Sequence, residues 1–221
     1  MVVMLGAFFI ITSCGKYLDI QSNDALIVPK DLASLQKLLD NSAKMNVKIA
    51  AYGEASADDY FVQQTTYDAF ADFNKKIYIW QNDQAMFGND WANGYEPVYV
   101  SNLVLDQLKK IEINSEEIES RDQVLGSALF YRANQYLSLL WTFAKAYNPA
   151  TASTDLGIVL RNSSDFNEKS TRSSVKTCYY QVIQDLKTAA ELLPDHAAHV
   201  MRPSKAAAYG VLSRAYLSMA K

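Results

Sequence analysis

The hydrophobic pattern is most regular in the last third of the chain. Residues 173–193 carry apolar side chains at a spacing that places them on one face of an α-helix, namely Val175, Tyr179, Val182, Ile183, Leu186, Ala189, Ala190 and Leu193. Residues 127–147 have a similar stripe and further apolar side chains on other faces, which is typical of a helix buried between neighbours. We therefore predict that these two helices pack together, with residues 127–147 at the centre.

Shorter stripes predict further helices. Asp31 is a suitable N-cap for a helix that ends near residue 41, and its apolar positions are Leu32, Leu35, Leu38 and Leu39. A second helix is predicted over residues 97–111 and a last one over residues 204–220, each introduced by a proline. The polar insert 150–172 contains an apolar island at residues 156–160, which is predicted to be a brief strand or a docked loop.

Residues 45–94 lack this regularity. Aromatic residues are dense there and polar clusters interrupt every periodic stretch, so we predict loops with one short helix near residues 67–73. A loop region of this length inside a compact domain is usually functional. Trp80 lies in a short apolar run and is predicted to be buried, whereas Tyr60 and Tyr67 lie in polar sequence and are predicted to be exposed.

Composition and charge narrow the classes of function. The 221 residues are 49% hydrophobic and 20% charged, as expected for a folded globular protein. The 21 basic residues are scattered among 24 acidic ones, which gives no basic surface for nucleic acid and excludes that partner. Aromatic residues reach 12%; such rings fill cores and also form flat surfaces for sugars and protein partners.

Residues with metal-binding or catalytic chemistry are sparse. Cys178 lies inside a predicted helix, where a buried small hydrophobic role is expected. His196 and His199 are three residues apart but have no evident third ligand, so no metal or other cofactor is predicted. Asp58 and Asp59 are adjacent, and adjacent side chains diverge, which makes them a poor acid/base pair. We therefore do not expect an enzyme.

The N-terminus has the pattern of an export signal. The apolar run at residues 2–11 is too short to span a bilayer and has the length of a signal-peptide core. Residues 11–14, which end in Cys14, resemble a bacterial lipobox, whose cysteine is acylated and becomes the mature N-terminus. We predict a lipoprotein signal peptide at residues 1–13, lipidation of Cys14, a tether at residues 14–28 and a helical domain at residues 29–221. The alternative is a buried N-terminal strand that ends in an unmodified cysteine.

The last two predicted helices have the features of a tetratricopeptide repeat. The final helix shows the spacing of a repeat's first helix, at Tyr209, Leu212, Ser213 and Tyr216. The preceding helix ends with small residues and a proline, as a second repeat helix does. An unpartnered final helix would expose Leu212 and Tyr216, so we expect a domain that is incomplete at its C-terminus. The predicted fold is all-α, with tetratricopeptide-like helical hairpins and long irregular loops.

Short motifs follow one another along essentially the whole chain. They are the Cys14 lipobox, Lys16-Tyr17-Leu18-Asp19, Trp91 with Tyr95 and Asn102, Arg132-Ala133, Tyr147-Asn148-Pro149, Leu156-Gly157-Ile158-Val159-Leu160-Arg161, Ser174-Val175 with Ile183 and Asp185-Leu186, Arg202-Pro203-Ser204-Lys205-Ala206-Ala207-Ala208, and Arg214-Ala215-Tyr216-Leu217. In this order and spacing the chain resembles the SusD/RagB family of Bacteroidetes outer-membrane lipoproteins.

The resemblance implies a cell-surface, lipid-anchored binding protein of the outer membrane that is not an enzyme. Such a protein captures oligosaccharides, from starch or other glycans, or peptides in RagB-like members. It passes them to a SusC-like TonB-dependent transporter. The resemblance also implies that the tetratricopeptide helices pack on the transporter, that the glycan site lies in loops away from them, and that complete members are considerably longer.

A glycan site requires exposed aromatic faces and short polar side chains for the hydroxyl groups. The candidates that meet these requirements are Trp91, Tyr67, Tyr60, Asn89 and Asp83. The alternative for Trp91 is a packing role with Tyr95 at the start of a helix. Two other functions stay open at this point. They are a tetratricopeptide-type scaffold that binds a protein partner without a small ligand, and a glycoside hydrolase.

Overall fold

The computed structural model of the protein describes residues 29–81 and 89–219, and the regular secondary structure of these residues is mostly helical. The helices are α1 (Leu32–Leu39), α2 (Ser42–Met45), α3 (Tyr52–Ala55), α4 (Gln64–Ala69), α5 (Asp72–Tyr78), α6 (Asp90–Leu108), α7 (Ile118–Phe143), α8 (Val175–Leu192) and α9 (Lys205–Met219). The strands β1 (Leu156–Val159) and β2 (Arg172–Ser174) form one antiparallel pair between α7 and α8. The predicted all-α fold is confirmed.

Helix α7 is the centre of the fold, as predicted. It packs against α6 and α8, and α8 packs in turn against α9. One half of α7, around Tyr136 and Leu140, shares a core with α8, β1 and α9, and the other half, around Ala128, shares a second core with α1 and α6. The side chains of α7 are therefore buried on several faces, which explains why its sequence is apolar on more than one side.

The helix boundaries follow local capping chemistry. Asp31 begins α1 by accepting a hydrogen bond from the Ser34 N–H at 2.7 Å, which confirms the predicted cap. Ser174 begins α8 in the same way, with the Thr177 N–H at 3.1 Å. For residues 156–160 we expected a brief strand or a docked loop, and the structure shows the strand β1. Gly157, in this strand, lies so close to α8 that an added Cβ would be 2.7 Å from the Cys178 sulfur, and Cys178 is fully buried as predicted.

Two predicted boundaries are wrong. Helix α6 begins at Asp90, seven residues before Pro97, which lies inside the helix. The cap is Asn89, whose side chain accepts a hydrogen bond from the Ala92 N–H, and tight packing against α7 compensates for the hydrogen bond that proline cannot make. Helix α7 spans residues 118–143 instead of 127–147, because the backbone becomes extended at Ala144.

The segment from residue 45 to residue 94 contains more helix than predicted. Helices α3, α4 and α5 follow one another within residues 52–78, where we expected loops and one short helix. Each spans only four to seven residues. Two turns or fewer display too little of the 3.6-residue period for a hydrophobic stripe to be visible in the sequence.

The burial of the side chains of α9 differs in part from the prediction. Leu212 is buried against the core that α9 shares with α8, whereas we expected it to be exposed. Tyr216 is exposed, as predicted. Helix α9 thus buries one face in a hairpin with α8 and leaves the other open. Among the described residues, no helix is long and apolar enough to cross a membrane.

Candidate functional site

Two aromatic surfaces are candidates for ligand binding. The first, which we call the aromatic platform, consists of Tyr60, Tyr67, Tyr78 and Trp80. The Tyr78 ring is 5.7 Å from the Tyr60 ring and 5.9 Å from the Tyr67 ring, measured between centroids. The structure therefore brings together Tyr60 and Tyr67, two of the residues predicted for glycan binding.

Trp80 contradicts its prediction. We expected it to be buried, yet 69% of its surface is exposed, because α5 ends at Tyr78 and the chain turns before the indole reaches the core. Its backbone φ is 57°, in the left-handed region that bulky residues rarely adopt. Exposed apolar surface and backbone strain both cost free energy, and such strain is found mainly at functional sites.

The two most exposed rings of the platform are held by hydrogen bonds at their polar ends. The Trp80 indole N–H donates to the Ser56 carbonyl oxygen at 2.6 Å, and the Tyr60 hydroxyl donates to the Ala55 carbonyl oxygen. The two acceptors are consecutive residues at the end of α3, so both rings are tied to the same turn of the backbone. Their apolar faces remain available for a ligand, with 42% of Tyr60 exposed.

The second surface is a groove between α6 and the insert that follows β1. Its α6 wall carries Trp91, Tyr95 and Tyr99, which are spaced four residues apart and therefore share one helix face. The opposite wall includes Arg161 and Phe166, and the space between the walls is about 250 Å³. We call this surface the α6 groove.

Trp91 has both a packing role and a place in the groove. Its ring is 4.9 Å from the Tyr95 ring and 5.2 Å from the Phe143 ring, and it is partly buried against the core. Trp91 therefore packs with Tyr95 at the start of α6, as the alternative to a glycan-binding role states. Within the described residues, no ring contact joins Trp91 to the platform. The predicted aromatic candidates are therefore divided between two surfaces.

The two polar candidates have different outcomes. Asn89 is the N-cap of α6 and accepts a hydrogen bond from the Ala92 N–H at 3.0 Å, so its side chain has a structural role. Asp83 lies outside the described residues, as does the predicted lipidation site Cys14, so both stay predictions. Among the described residues, no cluster of three His, Cys, Asp or Glu side chains is arranged to hold a metal ion.

A buried polar network supports the groove from behind. Arg132 forms a two-point ion pair with Asp185, with both N–O distances at 2.8 Å, and also donates to the Asn102 side-chain oxygen at 2.9 Å. Asn102 then donates to the carbonyl oxygens of Arg161 at 2.7 Å and Ser163 at 3.2 Å. The α7–α8 interface is therefore connected to the insert through fully paired polar groups.

Three further side chains fix the insert. Burial raises the pKa of the Tyr95 hydroxyl, which stays protonated and donates to the Val159 carbonyl oxygen at 2.6 Å. Tyr136 is hydrogen bonded to both the N–H and the carbonyl of Arg161. Asp106 accepts from the Ser164 N–H at 2.8 Å and from its hydroxyl at 2.9 Å. The groove wall is thus held in place without a ligand.

The α6 groove was not predicted from the sequence. The aromatic spacing at positions 91, 95 and 99 was the available signal, but the start predicted at Pro97 left the first two positions outside the helix. Phe166 gave no signal, because its place opposite α6 depends on the path of the insert.

The fold and these surfaces define a helical-hairpin protein with exposed aromatic rings and no evident catalytic centre in its described part. A family model of SusD-like proteins, described as starch-binding and associating with the outer membrane, matches residues 16–217. The chain belongs to this SusD-like family. No curated protein sequence matches it.

Solved structures share the fold. A SusD superfamily protein from Bacteroides vulgatus superposes with a TM-score of 0.72 at 18% identity, and covers 86% of this chain and 44% of its own. One from Bacteroides thetaiotaomicron gives 0.68 at 22% identity, with coverages of 85% and 42%. A laminarin-binding SusD-like protein gives 0.64 at 16% identity, with coverages of 86% and 40%. The chain therefore spans less than half the length of these structures.

Proposed function

We propose that this protein is a cell-surface lipoprotein of the outer membrane that binds oligosaccharides and delivers them to a SusC-like TonB-dependent transporter. The observation that carries the binding proposal is the exposed pair of Tyr60 and Trp80, whose polar ends are tied to adjacent carbonyl groups. Rings held in this way offer apolar faces to a pyranose without an ordering cost on binding. Membership of the SusD-like family and the likeness to a laminarin-binding relative support the same ligand class.

The proposed role is capture and not catalysis. A hydrolase needs two carboxyl groups across a cleft, about 5 to 9.5 Å apart, and the lining of the α6 groove contains one carboxylate, Asp165. Asp58 and Asp59, the adjacent carboxylates near the platform, are both exposed. We propose Tyr60 and Trp80 as the stacking residues, with Tyr67 beside them and Asp83 as a hydroxyl acceptor.

Affinity electrophoresis tests glycan capture. The purified chain is run through gels that contain amylopectin, laminarin, pectic galactan or mannan, beside the Tyr60→Ala/Trp80→Ala variant. We expect at least one polysaccharide to retard the wild-type chain and the double variant to lose most of that retardation. Tyr180→Ala removes a similarly exposed ring on α8 and is the matched control. Equal retardation of the wild-type chain and the double variant would contradict the platform.

The anchor and the transporter contact are tested separately. Labelled palmitate should be incorporated by the wild-type chain and not by Cys14→Ala, and the variant should leave the outer-membrane fraction. Persistence of Cys14→Ala in that fraction would refute the anchor. We place the transporter contact on the open faces of α8 and α9, where Tyr180 and Leu217 are exposed. Tyr180→Asp/Leu217→Asp should abolish co-purification with the transporter and leave glycan retardation unchanged.

A further inference from the structure

The α6 groove has the chemistry of a second ligand site. Tyr99 and Phe166 form its outer part, with ring centroids 6.3 Å apart and planes inclined at 46°. Both rings are well exposed, at 43% and 73%. Two inclined aromatic faces at the mouth of a groove leave apolar surface in water, which a ligand with an apolar face would cover.

The polar groups of the groove have unused hydrogen-bonding capacity. Arg161 donates from one terminal nitrogen to the Glu168 carbonyl at 2.7 Å and from the other to the Ser170 hydroxyl at 2.6 Å. Within the described residues, these bonds use two of the five N–H donors of a guanidinium. Ser170 accepts in this bond and keeps its own hydroxyl proton for another partner.

Acceptor capacity lies on the same wall. One oxygen of the Asp165 carboxylate accepts from the backbone and side-chain N–H groups of Asn167, at 2.8 and 3.0 Å. A carboxylate has about four acceptor positions, so further hydrogen bonds are available. The groove therefore offers planar donors from Arg161 and planar acceptors from Asp165 beside two aromatic rings.

Charge and size select among the ligand classes. A phosphate or sulfate group would meet the Asp165 carboxylate as well as the Arg161 guanidinium, so the lining of the groove carries no net positive charge to attract anions. An apolar side chain would cover Arg161 and Asp165 without satisfying them, which costs free energy. A volume of about 250 Å³ is below the roughly 300–1,000 Å³ of pockets for drug-sized ligands, and it suits a single sugar ring.

We propose that the α6 groove binds one neutral pyranose residue of a glycan, stacked on Tyr99 and Phe166 and hydrogen bonded to Arg161, Ser170 and Asp165. The inference extends the proposed function, since it assumes a glycan ligand, but it concerns a surface without ring contacts to the platform. A glycan chain bound at both surfaces would gain avidity from the second contact. The hydrogen bonds of Asn102 and Tyr136 to the insert hold the groove in its binding geometry before the ligand arrives.

The test uses monosaccharides, because one ring is the expected occupant. Backbone amide signals of Arg161, Ser163 and Ser170 are followed by NMR in the full chain during titration with glucose, galactose, mannose and xylose. We expect at least one sugar to shift these signals in a saturable manner. We also expect Tyr99→Ala/Phe166→Ala to weaken that binding about tenfold or more. Tyr180→Ala is the control for loss of an exposed ring, and the melting temperature of each variant verifies folding.

The outcomes separate this site from the platform. If none of the four sugars shifts the groove amides, or if the shifts persist unchanged in Tyr99→Ala/Phe166→Ala, the groove proposal is overturned. If a monosaccharide shifts the groove amide signals but no polysaccharide retards the chain in the gel, the platform proposal alone is refuted. If a polysaccharide retards the chain in a manner that depends on Trp80, but no monosaccharide shifts the groove amide signals, the groove proposal alone is refuted.

Discussion

The α7–α8 interface and the aromatic platform both rely on large side chains, but they place them in opposite environments. At the interface, Tyr136, Leu140 and Leu186 are almost completely buried, and the buried charges of Arg132 and Asp185 are paired. On the platform, Trp80 and Tyr60 are exposed. Changes at the interface should therefore cost mainly stability, and changes at the platform should cost mainly binding.

The difference also explains the local backbone. Long helices repeat one packing contact over many turns, so α7 and α8 need no unusual conformation at the interface. The platform is built from helices of four to seven residues, and its shape depends on single contacts such as the bond from the Trp80 indole to Ser56. A surface of this kind can be reshaped by few substitutions without loss of the scaffold.

The largest expected effect is at the buried ion pair. Arg132→Met leaves the Asp185 charge unpaired in the core and removes a hydrogen bond from Asn102, so we expect a loss of about 3–5 kcal/mol in the free energy of unfolding. Chemical denaturation measures this change. Lys205→Met, which breaks an exposed pair with Asp195, is the matched control and should cost less than about 1 kcal/mol.

A second variant sharpens the interpretation of that loss. Replacing both charges, in Arg132→Met/Asp185→Leu, removes the unpaired carboxylate and should recover much of the stability. If Arg132→Met alone unfolded with nearly wild-type free energy, the network would not support the interface.

Close packing of α6 on α7 should give the next largest effect. An added Cβ at Gly94 would lie 2.7 Å from a methyl carbon of Leu139, which is fully buried, whereas an added Cβ at Gly210 in α9 meets no atom within 4 Å. Both glycines are inside helices, so alanine improves helix propensity equally. Gly94→Ala should be less stable than Gly210→Ala by about 1–3 kcal/mol in thermal or chemical unfolding. If Gly94→Ala and Gly210→Ala were equally stable, α6 could move away from α7 without a loss of free energy, which would contradict close packing.

At the platform, stability and binding should respond differently. Trp80→Gly and Trp80→Ala both remove the indole and should lose glycan retardation. Glycine adopts positive φ without strain, so Trp80→Gly should unfold with a free energy about 1 kcal/mol higher than Trp80→Ala. Calorimetry of the two variants measures this difference. If Trp80→Ala were the more stable of the two, the backbone at residue 80 would not be strained.

The smallest expected effect is at the edge of the α6 groove, under acid conditions. Desolvation acts to raise the pKa of Asp106, but the Ser164 hydrogen bonds and Lys109 outweigh it and hold that pKa below its ordinary value. A depressed pKa means that the bonds stabilise the folded state above the ordinary pKa of aspartate and are lost as the pH falls through the folded value. The Ser164 amide signal should therefore change below about pH 4 in NMR titrations. In Asp106→Asn this transition should be absent.

Much of the helical core could be predicted from the sequence, because its signals are repeated or local. The stripe of α8 extends over five turns, and the caps at Asp31 and Ser174 act within three residues. Helix α6 was harder to predict, since Pro97 is typical of a helix start. Its position inside α6 depends on packing against α7, which a single segment does not reveal.

The binding surfaces could be predicted only in part. Tyr60 and Tyr67 were recognised as candidates because polar neighbours indicate exposure, and the structure joins them through Tyr78. Tyr60 is exposed as predicted, whereas Tyr67 is half-buried. The same reasoning was wrong for Trp80, whose apolar neighbours predicted burial. The α6 groove requires residues 91–102 and 159–170 to meet, and that long-range contact is set by the Asn102 and Tyr95 hydrogen bonds.

The central claim is that glycans bind the aromatic surfaces and that the long helices act as a scaffold. Amide hydrogen exchange tests it most directly, measured with and without a polysaccharide that retards the chain in affinity electrophoresis. The account predicts that the polysaccharide slows exchange in residues 52–81 and leaves the middle of α7 and α8 unchanged. Slower exchange confined to α8 and α9, with no change in residues 52–81, would contradict it and place the glycan site on the helical hairpin.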